Sequence, residues 1–203
     1  MTSEEHRLLV ELLRGGERRG THLEIGTGAG GTLCVMLNAF AQENRPRFVV
    51  VDKMRYFPSQ LELVRKNLAR HGFGENTVDI RVAKSDAAFT HAETAHERFD
   101  FVLIDGSHKV RAVMGDLRWS RLVNVGGIIC LHDYSSRFLG VQMAVNHFLR
   151  RNRNYERVAL AGSLLALRKT ALASRREVTR TDEFYAAALH LPLKLITNCR
   201  REK

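Results

Sequence analysis

Apolar and polar positions along this chain switch repeatedly between a helical and a strand-like period, and the switches mark out its elements. Leu8, Leu9, Leu12 and Leu13 recur at helical spacing, open with a capping Ser3 and stop at Gly15 and Gly16, which predicts an amphipathic helix over residues 3–14. A short apolar run from His22 to Ile25 then breaks into a cluster of glycines, and residues 32–41 are apolar enough for a buried helix. Residues 47–51 are apolar on both faces, as in a parallel strand covered by helices. Next come a helix over residues 58–70, with Leu61, Val64 and Leu68 inward and Gly72 beyond its end, and a weakly alternating strand over residues 78–82. A strongly apolar strand covers residues 99–105 and a helix residues 109–122. Gly126 and Gly127 turn the chain into a strand over residues 128–132, and a helix follows over residues 138–150. Residues 157–161 and 164–168, joined through Gly162 and Ser163, predict a closing hairpin.

Strands alternating with helices imply an α/β fold, a Rossmann-like doubly wound sheet of about seven strands. The sheet is mostly parallel with a closing antiparallel hairpin, has helices on both faces and opens its ligand crevice at the carboxyl ends of the strands. One domain is expected over residues 1–170. Residues 171–203 form an extension with a short helix near residues 181–189, ending before Pro192; a lid, a dimer arm or a partly disordered tail are the roles open to it. The three cysteines, Cys34, Cys130 and Cys199, have no paired spacing, so neither a disulfide framework nor a zinc knuckle is expected. No run approaches the ~18 to 20 apolar residues of a membrane span, and charges interrupt the first 15 residues. A soluble, cytoplasmic protein is the expectation. The net charge of +10 raises a polyanionic partner, but Lys and Arg are spread along the chain without interleaved aromatics, the pattern of a solvated basic surface.

Chemistry concentrates first around Gly26, Gly28, Gly30 and Gly31. Glycines here let a strand turn tightly into a helix whose unpaired N–H groups face a ligand. The spacing Gly26-x-Gly28-x-x-Gly31, with Asp52 further on, also fits a dinucleotide fingerprint. Glu24, two residues before the first glycine, would meet a pyrophosphate with like charge and is better matched to a cation. Glu24-x-Gly26-x-Gly28-x-Gly30 resembles the first motif of the class I S-adenosylmethionine-dependent methyltransferases, whose cofactor carries a sulfonium and an amino group. An acid is also expected just beyond each of the first five predicted strands: Glu24, Asp52, Asp86, Asp105 and Asp133. The resemblance implies cofactor binding by Glu24, Gly26, Thr27, Gly28, Gly30, Asp52, Lys53, Ser85, Asp86 and Asp105. Within that set Glu24 would meet the methionine amino group or order the glycine loop, Asp52 would meet the ribose and Asp86 the adenine. Asp52 as a turn cap and Asp86 as a helix cap remain alternative readings of the same residues.

The second concentration joins Asp105-Gly106-Ser107-His108 to His132-Asp133-Tyr134, brought together if the two strands preceding them are neighbours. Two carboxylates with imidazole nearby suit a divalent ion. These segments look like those of the macrocin and cephamycin-type O-methyltransferases, a resemblance running over roughly residues 20–170. It implies catalytic roles for Asp105, His108, His132 and Asp133, and a magnesium or manganese site from Asp105, His132 and Asp133. Metal-binding relatives carry a pair of acids where this chain has His132-Asp133. A metal lowers the pKa of an acceptor hydroxyl, with His108 or His132 as general base; Asp105 can fill that role if no metal is present. His108 as a surface histidine and His132 as a hydrogen-bonded support are the structural alternatives. Trp119 reads as core, and Tyr56, Phe57 and Tyr134 as loop aromatics that could shape an acceptor pocket.

The expected function is S-adenosylmethionine-dependent O-methylation of a hydroxylated small molecule such as a sugar or secondary metabolite, and a homodimer is compatible with it. Three rivals stay open: a nucleic-acid methyltransferase, a nicotinamide-dependent reductase and a non-catalytic binding module. No Asn-Pro-Pro-Tyr-like tetrad of base-methylating enzymes follows the fourth strand, and Glu24 argues against the reductase.

Overall fold

A computed structural model describes residues 1–16 and 20–199, with side chains to Leu193. Its elements run α1 (Ser3–Arg14), β1 (Thr21–Ile25), α2 (Gly31–Asn38), β2 (Phe48–Asp52), α3 (Gln60–Arg70), β3 (Val78–Val82), α4 (Ser85–Thr94) and β4 (Phe99–Ile104). They continue with α5 (Val110–Asp116), β5 (Val123–Leu131), α6 (Leu139–Arg151), β6 (Tyr155–Ala161), β7 (Leu164–Lys169) and α7 (Arg180–Cys199). The seven-stranded sheet has the order β3-β2-β1-β4-β5-β7-β6. Its first five strands are parallel, and β7 lies antiparallel between β5 and β6, which makes the fold a Rossmann-like doubly wound sheet with a closing hairpin.

Strand residues alternate between two cores. Leu23, Ile25, Val49, Val51, Val102, Ile104, Ile129 and Leu131 pack under α4, α5 and α6, around a fully buried Trp119. Val50, Phe101, Leu103 and Cys130 face α1, α2 and α3 on the other side. Leu9 and Leu13 of α1 are buried there, each contributing about 2 to 3 kcal/mol of apolar burial.

Four elements depart from the sequence reading. The α1 cap is Thr2 rather than Ser3: its hydroxyl accepts the Glu5 N–H at 3.2 Å, while Glu5 Oε2 accepts the Thr2 N–H at 2.7 Å. Gly126 and Gly127 do not end an element; they lie inside β5 as an irregularity where its pairing with β4 jumps register. The helix expected over residues 109–122 stops at Asp116 and gives way to a 3₁₀ turn over Leu117–Leu122. Finally, α7 runs through Pro192, because Tyr185, Ala186, Leu189 and Leu193 pack on the α5–α6 core and outweigh one lost backbone hydrogen bond. Cys34 and Cys130 are buried. No described helix is long and apolar enough to cross a membrane.

Candidate active site

The parallel ladder fixes where the functional side chains emerge. Past the strand ends, Asp105 N–H donates to Ile25 O at 2.9 Å and His132 N–H to Ile104 O at 3.1 Å, so Asp105 and His132 stand side by side. Gly26 and Gly30 have φ of +83° and Gly28 +52°, the left-handed backbone that carries β1 over into α2. Gln60 and Asn67, seven residues apart on one face of α3, brace this loop. Gln60 Nε2 donates to Gly28 O at 2.9 Å and Asn67 Nδ2 to Ala29 O at 2.8 Å. Neither was singled out in the sequence, although polar residues beside Val64 and Leu68 on an inward helical stripe were the available signal.

Glu24 is a residue of β1 itself, not one beyond its end, and pairs across to Val50 and Leu103. It is fully buried, and neither its carboxylate oxygens nor the Thr27 hydroxyl has a hydrogen-bond partner among the described residues. Burial pushes the Glu24 carboxyl up to about 8, and the charges of Asp105 and Asp52 add to the shift. Relative to the ordinary 4.5, the folded chain holds this proton more tightly, so the stability linked to it is complete below pH 4.5 and declines as pH rises toward about 8. A cation seated against Glu24 would favour its ionised form and expel the proton. Near neutral pH, the heat of S-adenosylhomocysteine binding is therefore expected to vary with the ionisation enthalpy of the buffer, and a Glu24→Gln variant to lose that variation.

Asp52, at the tip of β2, accepts the Thr27 N–H at 3.0 Å on Oδ2 and the Met54 N–H at 2.7 Å on Oδ1. It thereby ties the glycine loop to the segment after β2, where Lys53 is exposed. Ser85 and Asp86 lie in the first turn of α4 rather than directly after β3. Ser85 Oγ accepts the Trp119 indole N–H at 2.9 Å, and Asp86 Oδ1 accepts the Ala87 N–H at 2.9 Å. Beside them lies Asp116 of α5, another residue the sequence did not single out. Its buried carboxyl is pushed up to about 6 by desolvation, with Ser85 and Lys53 opposing and Asp86 adding.

At the β4 and β5 ends the structure joins all four residues expected to act in chemistry. His132 Nδ1 lies 2.8 Å from Asp105 Oδ1 and 3.5 Å from Asp133 Oδ2, and His108 Nε2 lies 2.6 Å from Asp133 Oδ2. Ligand atoms of Asp105, His132 and Asp133 fall within 4.8 Å of one another. Asp133 sits at φ +59°, a conformation few residues other than glycine, asparagine and aspartate adopt readily, and strain of this kind concentrates at functional sites. Burial would raise its carboxyl, but the His108 hydrogen bond and the nearby His132 hold it below its ordinary value. Burial would likewise lower the His132 imidazole, and the Asp105 hydrogen bond with the charges of Asp105, Asp133 and Glu5 holds it above. His132 Nε2 faces Glu5 Oε2 of α1 at 3.4 Å. The sequence reading treated α1 only as a packing helix. An acid three residues after a capping threonine was the signal for its cap, but nothing local indicated that it reaches His132.

Residues 23–134, more than half of the chain, match a family model described as a methyltransferase domain. The chain belongs to this methyltransferase family. Its membership agrees with the class I, S-adenosylmethionine-dependent motif at Glu24 to Gly30 and with the topology of the sheet. A curated relative, an uncharacterized protein of Acanthamoeba polyphaga mimivirus, is 31% identical over 117 residues, which are 56% of this chain and 51% of that protein. The chain thus spans about half the length of the curated relative it matches. Among solved structures, an O-methyltransferase from Bacillus cereus in complex with S-adenosylhomocysteine superposes with a TM-score of 0.67 at 18% identity, covering 83% of this chain and 82% of that one. TomG from Streptomyces achromogenes, an O-methyltransferase of tomaymycin synthesis in complex with S-adenosylmethionine, gives 0.64 at 18% identity, covering 84% and 82%. At these identities the likeness is one of fold.

Proposed function

We propose that the protein transfers the methyl group of S-adenosylmethionine to a hydroxyl oxygen of a small molecule. The observation that carries the reading is Glu24, a fully buried carboxyl group with no hydrogen-bond partner among the described residues, beneath a glycine loop that Asp52 holds in place. An orphaned buried acid is expensive unless a cation completes it, and the cofactor amino group is such a cation. Glu24, Gly26, Thr27, Gly28 and Gly30 would hold the methionine end and Asp52 the ribose. Lys53, Ser85, Asp86 and Asp105 border the remainder of the nucleoside.

S-adenosylmethionine, when bound, supplies a methyl carbon on a positively charged sulfur. Asp133 holds the Nε2–H of His108 at 2.6 Å, which leaves His108 Nδ1 as the acceptor of the hydroxyl proton. The oxygen lone pair so exposed forms the new C–O bond as the C–S bond breaks with its electrons toward sulfur. His108 then gives the proton to solvent. Asp105 and His132 stand beside this pair.

Titration calorimetry tests the reading with S-adenosylhomocysteine and, in parallel, NADH. The first is expected to bind and the second not. Asp52→Ala is expected to weaken S-adenosylhomocysteine by about tenfold or more, because it removes both a ribose acceptor and the anchor of the Thr27 N–H. Binding of NADH alone would overturn the reading.

A nucleic-acid acceptor is favoured by one separate observation. Arg150, Arg153 and Arg157 line an open cavity of about 490 Å³ between α6 and the edge strand β6, and none of the three has a carboxylate partner among the described residues. Under that second reading, binding of an RNA oligonucleotide weakens steeply with salt and is lost on reversing these charges.

A further inference from the structure

Three carboxylates and two imidazoles converge beyond β4 and β5, and each carboxylate has an imidazole against it. The ligand atoms of Asp105, His132 and Asp133 satisfy the spacing of a divalent-ion site. They do not offer it free lone pairs. Magnesium and manganese are held by uncommitted oxygen lone pairs, carboxylates above all. Here His132 Nδ1 lies 2.8 Å from Asp105 and 3.5 Å from Asp133, and Nε2 lies 3.4 Å from Glu5; carboxylates only accept, so each ring nitrogen is placed to donate and neither offers the centre of the cluster a lone pair. Asp133 Oδ2 is taken by His108 at 2.6 Å.

Glu5 is a prearranged member of this row. Its Oε1 accepts the Ser163 N–H and the Ser163 hydroxyl, both at 2.8 Å, and its Oε2 accepts the Thr2 N–H at 2.7 Å. Its side chain is 3% exposed. The chain makes room for it at Gly162, where a Cβ would lie 2.8 Å from Glu5 Oε1. A helix cap, the turn between β6 and β7, and the end of β5 are thus joined through one carboxylate that ends at His132.

We propose that His132, clamped between Asp105 and Glu5, stands in the place of a divalent cation, so that the site works without a metal and Glu5 is the positioning residue that fixes the imidazole. The proposal rests on the methyl-transfer reading for what the site does, and goes beyond it in assigning Glu5 and removing the ion.

The test is titration of Mn²⁺ into S-adenosylhomocysteine-loaded protein, with free Mn²⁺ read by electron paramagnetic resonance. Wild type is expected to leave Mn²⁺ free under conditions in which His132→Asp, with a third carboxylate in place of the bridging imidazole, takes up one ion at least about tenfold more tightly. Wild-type uptake as tight as that of His132→Asp overturns the metal-free site. Absence of uptake by both overturns the role given to His132. In a parallel arm that does not depend on the fold of His132→Asp, Glu5→Gln is expected to shift the His132 ring nitrogen resonances, whereas a Glu4→Gln change at the exposed neighbouring position leaves them in place; equal spectra for the two variants overturn the positioning role. Calorimetric binding of S-adenosylhomocysteine in the same samples separates a failure here from a failure of the cofactor reading.

Discussion

Replacing Asp133 by asparagine is expected to leave S-adenosylhomocysteine affinity within about twofold while lowering kcat by about 10² to 10⁴. The substitution is nearly isosteric, and asparagine tolerates the left-handed φ of +59° about as well as aspartate, so the backbone after β5 keeps its course. What changes is the partner of His108. The carboxylate that accepts the Nε2–H at 2.6 Å becomes an amide, which can turn its NH₂ toward the ring and favour the tautomer with no lone pair for the hydroxyl. The charge that supports an imidazolium after proton transfer also disappears. None of the contacts made by the Glu24–Gly30 loop or by Asp52 involves Asp133, hence the unchanged cofactor affinity. Calorimetry and single-turnover rates separate the two effects, and an equal loss in both would place Asp133 in the cofactor site instead.

A Gly26→Ala exchange acts at the other end of the crevice and on the fold itself. A Cβ on Gly26 would fall 2.6 Å from Asp105 O and from the Gly106 Cα, backbone atoms at the end of the adjacent strand that have no side-chain freedom with which to yield. The φ of +83° adds about 1 to 2 kcal/mol of left-handed strain for alanine. Destabilisation by about 3 kcal/mol or more is expected, a fall in Tm of roughly 6 to 12 °C for a chain of this size, together with loss of S-adenosylhomocysteine binding. Gly28→Ala is the control. Its Cβ meets nothing within 4 Å, so only the conformational penalty of about 1 kcal/mol applies and the fold persists. Thermal denaturation of both variants decides the matter, and equal Tm values would show that the β1–β4 gap accommodates a methyl group.

The alternation of strands and helices, the closing hairpin and the acids at the ends of β2, β4 and β5 were legible because their causes are local. Doubly apolar runs such as Phe48 to Val51 can be buried only inside a helix-covered sheet, and glycines after a central strand leave few conformations open. Once β4 and β5 are neighbours, Asp105 must stand beside His132, so the chemical pair followed from topology alone.

Other features came from contacts between residues far apart in sequence. Pro192 is a local helix stop, overruled by the apolar stripe of α7 against α5 and α6. Gly126 and Gly127 look like a turn, and the register of β4 turns them into an irregularity inside β5. Glu24 carries no mark of being unpaired; that state arises because Val50 and Leu103 flank it in the sheet while the helix side of the sheet seals it from water. Glu5 is separated from His132 by 127 residues and from Ser163 by 158, and the capping role that explains it locally says nothing of either partner. Periodicity and glycine placement set the sheet and the position of its crevice, since each acts through nearest neighbours along the chain. The charge state and pairing of the groups inside that crevice were decided by tertiary structure, because burial and ion pairing depend on which distant side chains the completed fold brings within a few ångströms.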